Sequence, residues 1–242
     1  MDKIVIIADD LTGAADTGVQ FCPFFDETIL VPYHQLSYFI KEHSGAFSQA
    51  RTIYTHSRAL DAKAARKRIV AVGRQLSRLR PGWIYKKVDS VLRGNLGAET
   101  ETLMDELDYE LSFIAPAFPE MGRTTVDDIH KVHGTPVAQT EISHDPVTPV
   151  TDSHLSLVVA AQTRYPVGHV KLDYLKGDEA KLQAEIERQF NRGIRHIAFD
   201  TTTREHLDKI AQIVFTSSHR ILPVGSAGLA ASLARLLPKK PA

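Results

Sequence analysis

Two acids stand side by side at Asp9-Asp10, directly behind the apolar run Ile4-Val5-Ile6-Ile7-Ala8 and ahead of Leu11-Thr12-Gly13-Ala14-Ala15-Asp16-Thr17. Adjacent carboxylates can accept hydrogen bonds from a polyol, take up a proton or hold Mg2+. One of the pair could instead do no more than cap a following helix, because Asp is a favoured N-cap residue. A second group of polar residues is Lys86-Lys87-Val88-Asp89-Ser90-Val91-Leu92-Arg93-Gly94-Asn95. Its Lys, Ser, Arg and Asn side chains are hydrogen-bond donors, and Arg can clamp a carboxylate with two parallel bonds. Gly94 and Gly97 would let backbone approach a ligand closely. The plain alternative is a strand–helix turn with a surface arginine.

Two weaker segments follow. Gly122-Arg123-Thr124-Thr125, with Asp127 and Asp128 beyond, is either a further anion contact or an ordinary loop. Val224-Gly225-Ser226-Ala227-Gly228-Leu229 puts glycines where backbone N–H groups favour phosphate, but too few for a dinucleotide fingerprint or a Walker loop. A phosphate contact and a tight turn both remain open there. His130, His133 and His144 lack a fourth ligand in a recognisable register, so they read as loop histidines and no metal is expected. Cys22 has no evident base partner and reads as buried filler.

These segments need a scaffold. Apolar, β-branched runs mark strands at 4–8, 28–31, 52–55, 83–88, 113–116, 167–172, 194–200 and 221–224. Amphipathic stretches between them mark helices at 62–79, 97–109, 178–191, 203–216 and 227–236. Several strands are nearly continuously apolar, as strands covered on both faces are. The alternation predicts an α/β fold: a doubly wound, mostly parallel, Rossmann-like sheet with helices on both faces. Residues 119–153 break the rhythm with prolines and few apolar residues, and read as an irregular inserted segment carrying short strands. A weak boundary near residue 150 and a single shared sheet are both compatible with this pattern.

Bulk properties narrow the function classes. The 242 residues carry 29 Lys plus Arg against 29 Asp plus Glu. Without a basic excess, nucleic acid and anionic membranes lose weight as partners. A single cysteine fits a reducing compartment. The run at 4–8 is too short for a signal peptide or a membrane span, so the expectation is a cytoplasmic protein.

Taken in order, the segments resemble the four-carbon acid sugar kinases. The resemblance is carried by Ile7-Ala8-Asp9-Asp10-Leu11-Thr12-Gly13-Ala14, by Lys87 to Asn95, and by Pro116-Ala117-Phe118-Pro119 with Gly122-Arg123-Thr124-Thr125. It continues through Gly134-Thr135-Pro136-Val137, Thr140-Glu141, Asp145-Pro146-Val147-Thr148-Pro149-Val150 and Val224 to Ala230. It implies a two-domain enzyme that uses ATP with Mg2+ to phosphorylate a terminal hydroxyl of a threonate-, erythronate- or 3-oxo-tetronate-like acid. The amino-terminal domain would bind the acid and the carboxy-terminal domain most of the nucleotide. By resemblance, Asp9 and Asp10 meet sugar hydroxyls, with Asp10 the candidate base. Lys87, Asp89, Ser90 and Arg93 hold the acid, with Arg93 its carboxylate clamp. Arg123 and Thr124 close the other side, and Ser226 and Gly228 lie near the nucleotide.

Two departures stand out. The sequence stops at Pro238-Lys239-Lys240-Pro241-Ala242, where the family continues for roughly another domain's length. The expectation is therefore an acid-sugar-binding domain, 1–242, without the nucleotide-binding domain and inactive in phosphoryl transfer alone. Asp128 stands where the family pattern leads us to expect glycine, at a turn that needs a positive φ. The alternatives are a non-catalytic sugar-acid module or sensor, and, more weakly, a metal-dependent hydrolase built on Asp9 and Asp10. A separately encoded nucleotide domain would complete the enzyme. The surface facing it is expected to be exposed near 224–229, which leaves room for a homodimer.

Overall fold

The computed structural model describes residues 4–42, 49–79 and 81–238. The expectations for Met1 to Lys3 and for Lys239 to Ala242 lie outside the described residues. In chain order the first half comprises β1 (Ile4–Ala8), α1 (Leu11–Gly18), β2 (Glu27–Pro32), α2 (Leu36–Glu42), β3 (Gln49–Tyr54), α3 (Ala62–Leu79), β4 (Trp83–Lys87), α4 (Leu96–Leu107) and β5 (Leu111–Ala115). After them come β6 (Arg123–Val126), β7 (Ile129–Val132), β8 (Thr135–Pro136), α5 (Leu155–Ala160) and β9 (Val167–Val170). The chain closes with α6 (Leu172–Lys176), α7 (Glu179–Asn191), β10 (His196–Phe199), α8 (Arg204–Thr216), β11 (Ile221–Gly225) and α9 (Ala227–Arg235).

Each of the eight predicted strands enters one sheet, in the order β2-β3-β1-β4-β11-β5-β10-β9, and every pairing in it is parallel. Strands from both sides of residue 150 alternate in it, because β11 lies between β4 and β5. Burial of β1 is complete, and its period of two deals the side chains to two cores. Ile4 and Ile6 join Phe113, Phe199, Leu207 of α8 and Leu229 of α9 on one face. Val5 and Ile7 join Ile53, Ile69 of α3, Leu103 of α4 and Leu155 of α5 on the other. Helices therefore cover both faces, as an all-parallel sheet requires. No helix among the described residues is long and apolar enough to cross a membrane.

The inserted segment forms a second, antiparallel sheet, β6-β7-β8, with short 3-10 turns. It is fastened to the main sheet at the end of β10. The buried Asp200 carboxylate accepts the N–H groups of Asp127 (3.0 Å), Asp128 (2.9 Å) and Leu172 (3.1 Å), and it pairs with His169 at 2.8 Å. Asp128 does sit at positive φ (67°), and its carboxylate holds the N–H of Ser156 at 2.9 Å and its hydroxyl at 2.5 Å. Asp visits this left-handed region more readily than most non-glycine residues, and the bonds to Ser156 tie its side chain down there.

Three expectations are corrected. His130 is not a loop residue: it lies in β7, fully buried. Cys22 is exposed, its thiol facing the Gly18 carbonyl and the Thr28 hydroxyl, at the end of the 3-10 turn Val19–Phe21 that follows α1. Residues 224–229 are buried throughout, since β11 is an interior strand and α9 packs down behind it.

Candidate functional site

The sheet order makes β1 and β4 neighbours whose onward connections leave in opposite directions. From β1 the chain proceeds to β2 and β3 on one side, and from β4 toward β5 on the other. A crevice opens at the carboxyl ends of strands at such a reversal, and ligands of open α/β sheets bind there. Asp9 and Asp10 leave the end of β1, and Lys87, Asp89 and Ser90 stand at the end of β4. Between them lies a cleft of about 290 Å3 lined by Asp10, Asp16, Arg58, Lys87, Asp89 and Arg93, with Thr12, Gly13, Ser90, Phe118, Ser226 and Ala227 completing the wall.

Asp10 is the N-cap of α1, accepting the Gly13 N–H on Oδ1 at 2.9 Å. Capping does not consume it: the carboxylate still borders the cleft, and among the described residues its Oδ2 takes no hydrogen bond. Asp9 is buried behind it. Both are held by Arg58, which the sequence reading missed. Its Nε meets Asp9 Oδ2 at 2.7 Å, and its Nη2 meets Asp9 Oδ1 at 3.0 Å and Asp10 Oδ1 at 2.8 Å. Its Nη1 lies 3.7 Å from Asp89. The loop after β3 delivers it there, since Thr55 donates its N–H to the Ala8 carbonyl and Ser57 donates to the Asp9 carbonyl, both at 2.9 Å. Asn95 braces that loop through the carbonyls of Ser57 (3.1 Å) and Leu60 (2.8 Å). Burial works against the charge on Arg58, but the hydrogen bond and field of Asp9, with Asp89 and Asp10, outweigh it and hold its pKa above the ordinary value.

Arg93, the expected clamp, is already engaged. Nε and Nη2 bind Asp89 at 2.8 and 3.3 Å, and Nη1 binds Asp145 of the inserted segment at 3.2 Å. The hydrogen bond to Asp89 raises the Arg93 pKa. Burial pushes Asp89 up, yet the Arg93 bond and the fields of Arg58, Arg93 and Lys87 leave it below the usual carboxylate value. Lys87 is different: burial lowers its pKa, with Arg58 adding to the effect and Asp9, Asp89 and Asp10 opposing it. Ser90 is positioned from below, its carbonyl accepting from Nε2 of His130 at 2.8 Å.

Of the remaining expected residues, Arg123, Thr124 and Gly228 fall outside this lining. Arg123 and Thr124 belong to β6 of the small sheet, where Arg123 bonds the Met121 carbonyl and pairs with Phe118 through its backbone. Ser226 borders the cleft, but its hydroxyl donates to the Ala117 carbonyl at 2.8 Å and accepts the Gly228 N–H at 3.1 Å as the N-cap of α9. Gly228 is buried, and a Cβ there would stand 2.9 Å from the Ala117 carbonyl. Close packing of α9 on the chain after β5 is the physical demand this turn meets. The arrangement as a whole offers carboxylate acceptors, an ammonium and a hydroxyl around a small volume, a donor set that suits a compact polyhydroxylated acid.

The sequence model of one protein family, described as a sugar-binding N-terminal domain, matches residues 4–233. The chain is 35% identical over 243 residues to a D-erythronate kinase of Heliobacterium modesticaldum, covering 100% of this chain and 54% of the relative. It is 33% identical to a D-threonate kinase of Salmonella typhimurium (96% and 53% covered) and 30% identical to a 3-oxo-tetronate kinase of Escherichia coli (97% and 60%). It spans about half the length of the curated relatives it matches. Among solved structures it is similar to a domain of unknown function from Bordetella bronchiseptica, crystallised as a domain-swapped dimer with bound citrate. That likeness has a TM-score of 0.81 at 30% identity and covers 96% of this chain and 55% of the other.

Proposed function

This chain belongs to the sugar-binding N-terminal domain family, and on that premise we propose that its cleft binds a four-carbon sugar acid of the threonate, erythronate or 3-oxo-tetronate type. The observation that carries the reading is the convergence of Asp10, Lys87, Asp89 and Ser90 on one small cleft at the reversal point between β1 and β4. Asp10 accepts a hydrogen bond from a substrate hydroxyl through Oδ2 and is the candidate base for the hydroxyl that is to be phosphorylated. Asp89 and Ser90 supply further polar contacts, Arg58 and Arg93 hold the aspartates in place, and Phe118 and Ala227 close the cleft with apolar surface. Arg123 supports the wall at Phe118 through its backbone, and Thr124 pairs with Lys131 in the small sheet.

ATP-dependent transfer to that hydroxyl belongs to the proposal as a property of the whole enzyme. The Ser226–Gly228 turn fits a nucleotide cradle poorly: the Ser226 hydroxyl is spent on the Ala117 carbonyl and the Gly228 N–H, the Ser226 carbonyl accepts from the Tyr85 hydroxyl, and Gly225 and Gly228 are packed against backbone or side chains. Calorimetric titration with D-threonate, D-erythronate and a 3-oxo-tetronate tests the reading. Saturable binding of one acid, abolished in Asp10→Ala, is the expected outcome; no binding of any of the three overturns it.

A further inference from the structure

The charged groups around the cleft are unequally committed. Asp9, Asp10 and Asp89 surround Arg58, and Asp89 and Asp145 take Arg93. Every guanidinium nitrogen of Arg93, and Nε and Nη2 of Arg58, already serves a carboxylate at hydrogen-bond distance. A ligand carboxylate arriving at either arginine would have to displace an aspartate that remains beside it, like charge against like charge. Lys87 is the exception. It is 5% exposed, borders the cleft, and among the described residues forms no ion pair. Its ammonium has three donors, and the hydrogen bond it makes goes to the Val88 carbonyl at 2.8 Å. The glycine at 13 leaves the space in which that ammonium sits, since a Cβ there would be 2.6 Å from Nζ.

We infer that Lys87, rather than Arg93 or Arg58, receives the carboxylate of the sugar acid, and so fixes which end of the ligand points toward α1. The inference rests on the acid-sugar reading of this cleft. A buried ammonium that no carboxylate of the chain reaches at ion-pair distance keeps donors for a ligand that brings one. The charges facing Lys87 are Asp9 and Asp10 from the β1–α1 junction, Arg58 from the loop after β3 and Asp89 beyond β4; its own titration lies below that of a free lysine. The arginines act as positioning residues that neutralise the aspartates and leave the ammonium to the ligand.

The test compares, by calorimetry, the affinity of the tightest-binding acid with that of its neutral primary amide. In the wild-type chain the acid binds better by about tenfold or more, as a charged hydrogen bond is worth. That preference is lost in Lys87→Met and kept in Arg93→Gln, with thermal melting to show that each variant is folded. It also declines in the wild-type chain as pH rises through the Lys87 titration, a readout that needs no variant. If neither acid nor amide binds the wild-type chain, the acid-sugar reading falls and this inference with it. If the acid preference survives in Lys87→Met, or vanishes in Arg93→Gln instead, the acid-sugar reading stands and the assignment to Lys87 is overturned.

Discussion

A β-carbon at residue 13 would stand 2.5 Å from Asp10 Oδ1 and 2.6 Å from Lys87 Nζ, so Gly13 and Lys87 are a matched pair. The glycine is needed for what it omits. Gly13→Ala should move the ammonium or the capping carboxylate, both of which face the cleft. Affinity for the sugar acid is expected to fall about tenfold or more. The fold should be kept, because the colliding atoms belong to side chains and not to the sheet. Calorimetry and thermal melting on the one variant separate the two effects.

Beneath the cleft, Lys86 of β4 and Glu99 of α4 meet at 2.8 Å with both side chains about 1% exposed. Removing one partner strands a buried charge, which costs about 3–5 kcal/mol. Glu99→Leu alone and Lys86→Met alone should each lower stability by this order. The double variant should be more stable than either, because no charge is left unpaired. Chemical denaturation of the three variants checks the order.

At the turn between β6 and β7, Asp128 combines a positive φ with two bonds to Ser156. Alanine there loses the bonds and keeps the backbone strain; glycine loses the bonds and relieves it. Asp128→Ala should therefore be less stable than Asp128→Gly by about 1 kcal/mol. Urea midpoints measured side by side decide it.

Burial pushes His130 down to about 4, and the same cause pushes His196 down to about 4. In the neutral form Nε2 of His130 donates to the Ser90 carbonyl while Nδ1 can accept from Thr125 at 3.0 Å. Because the folded-state value lies below that of the unfolded chain, near 6.5, the unfolded state binds more protons between the two. Stability is thus full above about pH 6.5 and falls as pH drops toward 4. Each histidine accounts for up to about 3 kcal/mol at about 1.4 kcal/mol per pKa unit. His130→Gln, which keeps a donor for Ser90, should flatten part of that slope in denaturation curves recorded from pH 7 to pH 4.5.

The scaffold was legible because its signals are local. All eight strands, and the five helices predicted, could be read from apolar runs and periodicity, and α3 matched its predicted limits, Ala62 to Leu79. The end of α4 fell two residues short of the reading, where Asp108 turns left-handed and stops it. The site was legible where it is contiguous, at Asp9-Asp10 and from Lys87 to Arg93. Arg58 was not, because in sequence it is one basic residue among 29 and only the pairing of β3 with β1 places it on the aspartates. Arg123 and Gly228 lie outside the lining of the cleft. Their motifs carried the resemblance, yet the demands they meet in the fold are those of the small sheet and of close helix packing.

The most direct test of the account is a crystal structure of this chain with the tightest-binding of the three four-carbon acids. The acid is predicted to lie between the ends of β1 and β4, its hydroxyls within hydrogen-bond distance of Asp10 and of Asp89 or Ser90, and its carboxylate on Lys87. An acid bound elsewhere on the chain, with this cleft empty, would contradict the account.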